Sequence, residues 1–150
     1  MSVDRGYIAH NNAERARLEA LIRKWTDADL ARAMPAGWTV AGVLGHLAFW
    51  DQRIVTLVEA WEKNPAAAPP TLDEKNVDWV NDAAKPMFLA VPPRKAAELT
   101  LAIAEAADRK VASLTDDQIA RNAAAGTPLN VDRAEHRREH LNEIEKTLAR

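Results

Sequence analysis

The sequence predicts an all-α protein, a four-helix bundle of two helical hairpins joined by a long crossover that contains a short helix. Three observations carry that expectation. Alanine makes up about a fifth of the 150 residues and glycine only 5, with β-branched residues sparse outside one segment, a composition that favours helix throughout. Apolar residues recur at spacings of three and four in several long stretches. Finally, a short internal echo pairs the two halves. Trp25-Thr-Asp-Ala-Asp-Leu-Ala-Arg-Ala33 resembles Leu114-Thr-Asp-Asp-Gln-Ile-Ala-Arg-Asn122, and Ala36-Gly37 recurs as Ala125-Gly126, with a helix expected after each.

In chain order, a first helix is expected from about Asn12 to Trp25, with Leu18, Leu21, Ile22 and Trp25 on one side. The clearest stripe is Val40, Val43, Leu47, Trp50, Ile54, Leu57 and Trp61, the inward face of a second helix from Val40 to Trp61. Residues 64–93 differ in character and hold six prolines. Within them, Thr71-Leu72-Asp73-Glu74 reads as a capping box that opens a short helix carrying Val77, Trp79 and Val80. A third helix begins at Pro93, a good first-turn residue, with Leu99, Ile103, Ala106 and Leu114 inward. The last runs from about Val131 to the C-terminus, with Asn130 as its cap and Leu141, Ile144 and Leu148 inward.

Length and composition bound the function. A chain of 150 residues and 16.6 kDa is read as one domain, residues 1–150, long enough to bury its own core. Its net charge of −2 and pI near 6.1 argue against a nucleic-acid partner, which needs a basic face. Without any cysteine, disulfides, thiolate metal sites and a cysteine nucleophile are excluded. No signal core and no apolar run of membrane length is present, so a cytoplasmic protein with no membrane partner is expected.

The chemistry is concentrated in the histidines, of which there are four. His136 and His140 stand at i and i+4, stacked on one helix face where both imidazoles reach a single metal ion. His46 lies one turn from Val43 and Trp50, on the flank of the bundle interior, and the internal echo sets it opposite His136. His10 precedes the first helix and is read as exposed. Three imidazoles leave a divalent ion at least one open position, as in catalytic rather than closed sites, and they suit zinc, nickel, iron and copper alike. No Glu stands three residues before any of the three histidines, which excludes paired Glu-x-x-His di-iron chemistry.

Glu143, three residues past His140, and Glu139, three past His136, are candidates to hold an imidazole N–H; the acids and arginines of this helix otherwise read as surface pairs. Asp51 is read as a semi-buried polar anchor. Trp50 is expected to wall the metal pocket, Trp38 and Trp79 to lie over its mouth, and Trp25 and Trp61 to fill the core.

Two segments resemble a known family. Gly37-Trp38-Thr39-Val40-Ala-Gly-Val-Leu-Gly-His46-Leu47-Ala-Phe-Trp50-Asp51 is similar to the first histidine segment of the DinB-like superfamily, and His136-Arg-Arg-Glu-His140-Leu141 to its second, in the last helix. The resemblance spans nearly the whole chain and implies a four-helix bundle, often a homodimer, with a mononuclear zinc or nickel ion on His46, His136 and His140. One branch, which includes maleylpyruvate isomerases and S-transferases, uses mycothiol or bacillithiol and is similar to His, Glu and His in its ligands. This chain has His136 where that branch has Glu.

The functional expectation is a metal-dependent enzyme acting on a small-molecule substrate, either a thiol-dependent transferase or isomerase or a hydrolase. With no cysteine in the chain, any thiolate at the metal comes from a low-molecular-weight thiol cosubstrate. A non-catalytic bundle that holds a small molecule, or an interaction bundle, is the alternative. Glu143 is the only near candidate for a general base, and no catalytic residue is assigned.

Overall fold

The computed structural model describes residues 2–71 and 74–149. Seven α-helices follow one another: α1 (Tyr7–Lys24), α2 (Asp27–Leu30), α3 (Val40–Lys63), α4 (Val77–Ala90), α5 (Pro93–Ala112), α6 (Asp116–Ala124) and α7 (Ala134–Leu148). No strand occurs among the described residues. The all-α expectation holds, and the four long helices α1, α3, α5 and α7 form the bundle. α1 packs on α5 and α7, and α3 on α5, α7 and α4, so each long helix of the first half lies against both of the second.

The internal echo has a local cause. In each copy a threonine opens a helix through a reciprocal capping box. Thr26 Oγ1 accepts from Asp29 N–H while Asp29 accepts from Thr26 N–H, and Thr115 and Gln118 do the same. Each copy then turns through two consecutive left-handed residues, Ala36 and Gly37 (φ 59° and 77°) and Gly126 and Thr127 (φ 86° and 57°). One of each pair is glycine, for which that region is unstrained.

Several boundaries differ from the sequence reading. α1 starts at Tyr7 rather than near Asn12, which puts His10 inside the helix, although its side chain is exposed as expected. α7 starts at Ala134 rather than Val131, and Asn130 does not cap it. The cap comes from another helix, where Asn11 Oδ1 accepts from the N–H groups of Arg133 (2.7 Å) and Ala134 (3.1 Å). α4 is a 14-residue helix, longer than the short one expected. The capping box assigned to Thr71–Glu74 lies partly outside the described residues.

α5 turns a different face inward. Leu99 is 47% exposed and Ile103 only partly buried, while Ala96, Ala97, Thr100, Ala104, Ala107 and Val111 are buried. An alanine face lets α3 and α5 approach closely, and Thr100 Oγ1 donates to Leu44 O at 2.8 Å across that contact.

The core is divided. One apolar cluster holds Leu18, Leu21, Trp25, Val43, Leu47 and Leu141 among others. A second, at the other end, holds Tyr7, Ile54, Val58, Trp61, Val111 and Leu129. Between them each long helix contributes charge or polarity: Asn11 and Arg15 from α1, Asp51 from α3, Asp108 from α5 and Arg137 from α7. Arg137, only 1% exposed, donates to Asp108 (2.8 and 2.9 Å) and to Asp51 (3.1 Å); Arg15 donates to Asp108 at 2.5 Å. Arg133, just before α7, donates from Nε to Asp51 at 2.8 Å. The sequence reading placed Arg133 and Arg137 on the surface. They are buried because each finds a carboxylate there, and a buried charge is tolerated only when paired.

Candidate metal centre

The helices α3 and α7 bring His46, His136 and His140 together. His46 Nε2 lies 3.1 Å from His136 Nε2, which lies 3.1 Å from His140 Nε2, and the three ligand atoms fall within 4.8 Å of one another. The rings meet edge to face, with centroids 4.8 to 5.0 Å apart. Local structure accounts for the placement. Thr39 caps α3 by accepting from Gly42 N–H, which starts the helix so that His46 falls beside the buried Val43 and Leu47. On α7 the i, i+4 spacing stacks the other two rings above the buried Leu141 and Ile144.

The arrangement suits a metal ion. Nitrogens about 2.0–2.1 Å from a tetrahedral zinc lie about 3.3 Å apart, close to the spacing here. Burial pushes the His46 imidazole down to about 4 and His136 down to about 3. The neighbouring His140 adds to both shifts, and Arg133 and Arg137 add to that of His136. Both rings are therefore neutral at pH 7, with lone pairs free to bind a cation. Three convergent lone pairs repel one another unless a proton or a metal ion lies between them.

Around the triad, Glu143 Oε2 lies 3.4 Å from His140 Nδ1, the neighbour expected from sequence. Glu139 is exposed on a cleft wall and makes no hydrogen bond to His136. His46 Nδ1 is buried without a hydrogen-bond partner; its ring is held by aromatic contacts, edge to face with Trp38 (6.0 Å) and Phe88 (6.5 Å). A cleft of about 330 Å³ opens beside His46 and His136, walled by Trp50, Arg53, Asn81 and Arg133. A second, of about 430 Å³, is walled by Met34, Trp38, Val43, Glu143 and Lys146.

Trp50 and Trp38 thus stand where the sequence put them. Trp79 does not, being 60% exposed and bonded to Asn76 on its own segment. Phe88, Asn81 and Lys85, all on α4, were not singled out from sequence. They hold α4 over the triad: Asn81 accepts from Trp50 Nε1–H (2.8 Å), and Lys85 donates to Ala36 O (2.5 Å) while lying 5.1 Å over the Trp38 ring. α4 buries no residue of its own. It sits close because α3 carries glycine where they meet. A Cβ at Gly45 would lie 3.2 Å from Phe88 Cβ, and one at Gly42 would lie 2.9 Å from Leu89 Cδ2.

Residues 12–145 match the family model of the mycothiol maleylpyruvate isomerase N-terminal domain. The chain belongs to that family. It is thereby a member of the DinB-like helical superfamily, and the match takes in both histidine segments. No curated protein and no solved structure matches the chain. Among the described residues no helix is long and apolar enough to cross a membrane.

Proposed function

We propose that this member of the mycothiol maleylpyruvate isomerase N-terminal domain family binds one divalent metal ion, zinc or nickel, through His46, His136 and His140. On this reading it is an enzyme for a small molecule, working with an exogenous low-molecular-weight thiol as a transferase or isomerase, or with water as a hydrolase. The observation that carries the proposal is the convergence of three imidazole Nε2 atoms beside an open cleft. The family description supports the thiol, and a chain without cysteine must obtain one from outside. A single domain over residues 1–150, a homodimer and a cytoplasmic location belong to the same reading.

When bound, such an ion lowers the proton affinity of a thiol or water at its open position and polarises a carbonyl. The chain's own residues supply the rest. His46 and His136 are ready as neutral donors, and Glu143 lies against the His140 ring. Trp38 and Phe88 cover His46 against water, while Arg53, Arg133 and Asn81 offer donors on the cleft wall to orient a polar ligand.

The test is elemental analysis of tag-free protein beside His46→Ala, His136→Ala and His140→Ala. We expect near-stoichiometric zinc or nickel in the parent and at least about 10-fold weaker binding in each variant, with helical content retained. A metal content unchanged by all three substitutions refutes the site. Stoichiometric metal without turnover of any thiol-transfer or hydrolysis substrate favours non-catalytic holding of a small molecule.

A further inference from the structure

The helices that carry the histidines are joined a second time, by ions. Asp51 lies on α3, five residues past His46, and is 2% exposed. Its Oδ1 accepts from Arg133 Nε–H at 2.8 Å and its Oδ2 from Arg137 Nη2–H at 3.1 Å. Arg137 follows His136 directly, and Arg133 precedes it by three residues. Successive residues of a helix project about 100° apart, so His136 and Arg137 leave α7 in different directions. Fixing both sets the rotation of α7 about its own axis, which a single point of attachment leaves free. Hydrogen bonds alone do little to orient the histidines: His46 Nδ1 has no partner, its ring resting on aromatic contacts, and Glu143 is 3.4 Å from His140. A metal centre tolerates about 0.5 Å or 10–20° of error in its ligands, so something else must hold the rings in register.

Charge points the same way. The buried Arg133 and Arg137 face Asp51 and Asp108, and Asp108 is shared with the half-buried Arg15, so the two guanidiniums near His136 depend on Asp51 for balance. Asp51 is the one carboxylate in this layer that comes from the helix of His46. Its removal leaves Arg133 without a carboxylate and Arg137 with Asp108 alone, a field that opposes a dication at the triad.

We propose that Asp51 is a positioning residue for the three-histidine centre, locking the rotation of α7 against α3 through Arg133 and Arg137 and offsetting their charge. The inference rests on the metal-binding reading above. Asp108 belongs to the same buried layer but comes from α5 and ties α7 to a helix without histidines. It therefore separates support of the fold from support of the site.

The experiment is cobalt(II) and zinc titration of the parent, Asp51→Asn and Asp108→Asn, each at a temperature where circular dichroism shows it folded. We expect Asp51→Asn to weaken metal binding about 10- to 100-fold and to alter the visible cobalt(II) spectrum, which reports ligand geometry. Asp108→Asn is expected to lower thermal stability while leaving affinity and spectrum near those of the parent. Parent-like binding and spectrum in Asp51→Asn overturn the proposal, as does an equal loss of metal in both variants. If Asp51→Asn does not fold, Arg133→Lys, which keeps the charge and loses the Nε–H contact, serves instead. A weakening of the same sign supports the inference, and unchanged binding overturns it. A parent that binds no metal at all defeats the metal-binding reading rather than this one.

Discussion

At the scale of single residues, the most consequential side chain outside the histidine triad is Asn11. Its Oδ1 accepts from the N–H groups of Arg133 and Ala134, its Nδ2 donates to Val131 O at 3.0 Å, and it is almost wholly buried. The first N–H groups of a helix have no partner within it, and here a residue from α1 satisfies them. Ala134 N–H also reaches Asp132 Oδ1 (3.0 Å), so Arg133 N–H is the donor left stranded by a truncation. We expect Asn11→Ala to lower stability by about 1–3 kcal/mol in urea unfolding, the cost of an unsatisfied buried donor. A loss below about 0.5 kcal/mol would show that water replaces the amide there without penalty. Sequence could not reveal this cap, because Asn11 and Arg133 lie 122 positions apart. His136 and His140 were legible for the opposite reason: their relation is a spacing of four, which helix geometry fixes. The buried arginines were not legible, since Arg is exposed by default and only its distant carboxylates make burial tolerable. Asp51, a lone acid beside an apolar stripe, was the available signal.

At the scale of elements, α4 behaves as a cover resting on α3. It has no buried residue, and it is held by Asn81, Lys85 and Phe88 and by the close approach at Gly42 and Gly45. We expect Gly45→Ala to act oppositely on the two helices. Alanine gains α3 up to about 1 kcal/mol in helix propensity, while its Cβ presses on Phe88. Hydrogen exchange should therefore speed up across Val77–Ala90 and stay equal or slow across Val40–Lys63. Equal protection of α4 in both proteins would show that the cover does not depend on the glycine. The same scale shows where periodicity succeeds. α3 was readable because large apolar residues, Val43, Leu47, Ile54 and Trp61 among them, recur along one face, and all four are buried. α5 was misread because its inward residues are mostly alanine, which gives little contrast, and its larger Leu99 and Ile103 border a shallow groove with Phe49 and Phe88.

At the scale of the whole molecule, ligand linkage supplies the check. A metal that binds only the folded chain stabilises it by about 2.7 kcal/mol when its free concentration is 100 times Kd. For a chain of this length that corresponds to a rise of about 5–10 °C in Tm. We expect zinc or nickel to produce such a rise in the parent and none in His46→Ala, as read by differential scanning calorimetry. An equal rise in both would trace the effect to sites other than the triad.

The two apolar clusters with ions between them carry a further consequence, for how the chain finds its structure. In a bundle greased from end to end, a helix can slip by one turn, about 5.4 Å, and still bury hydrocarbon. Here such a slip drives Asp51, Asp108 or Arg137 out of its salt bridge and against leucine or valine. Misassembled bundles are thus raised in energy more than the correct one is lowered. The charged layer works as an alignment mark, and the histidines, at most five residues from it along the same helices, inherit its accuracy.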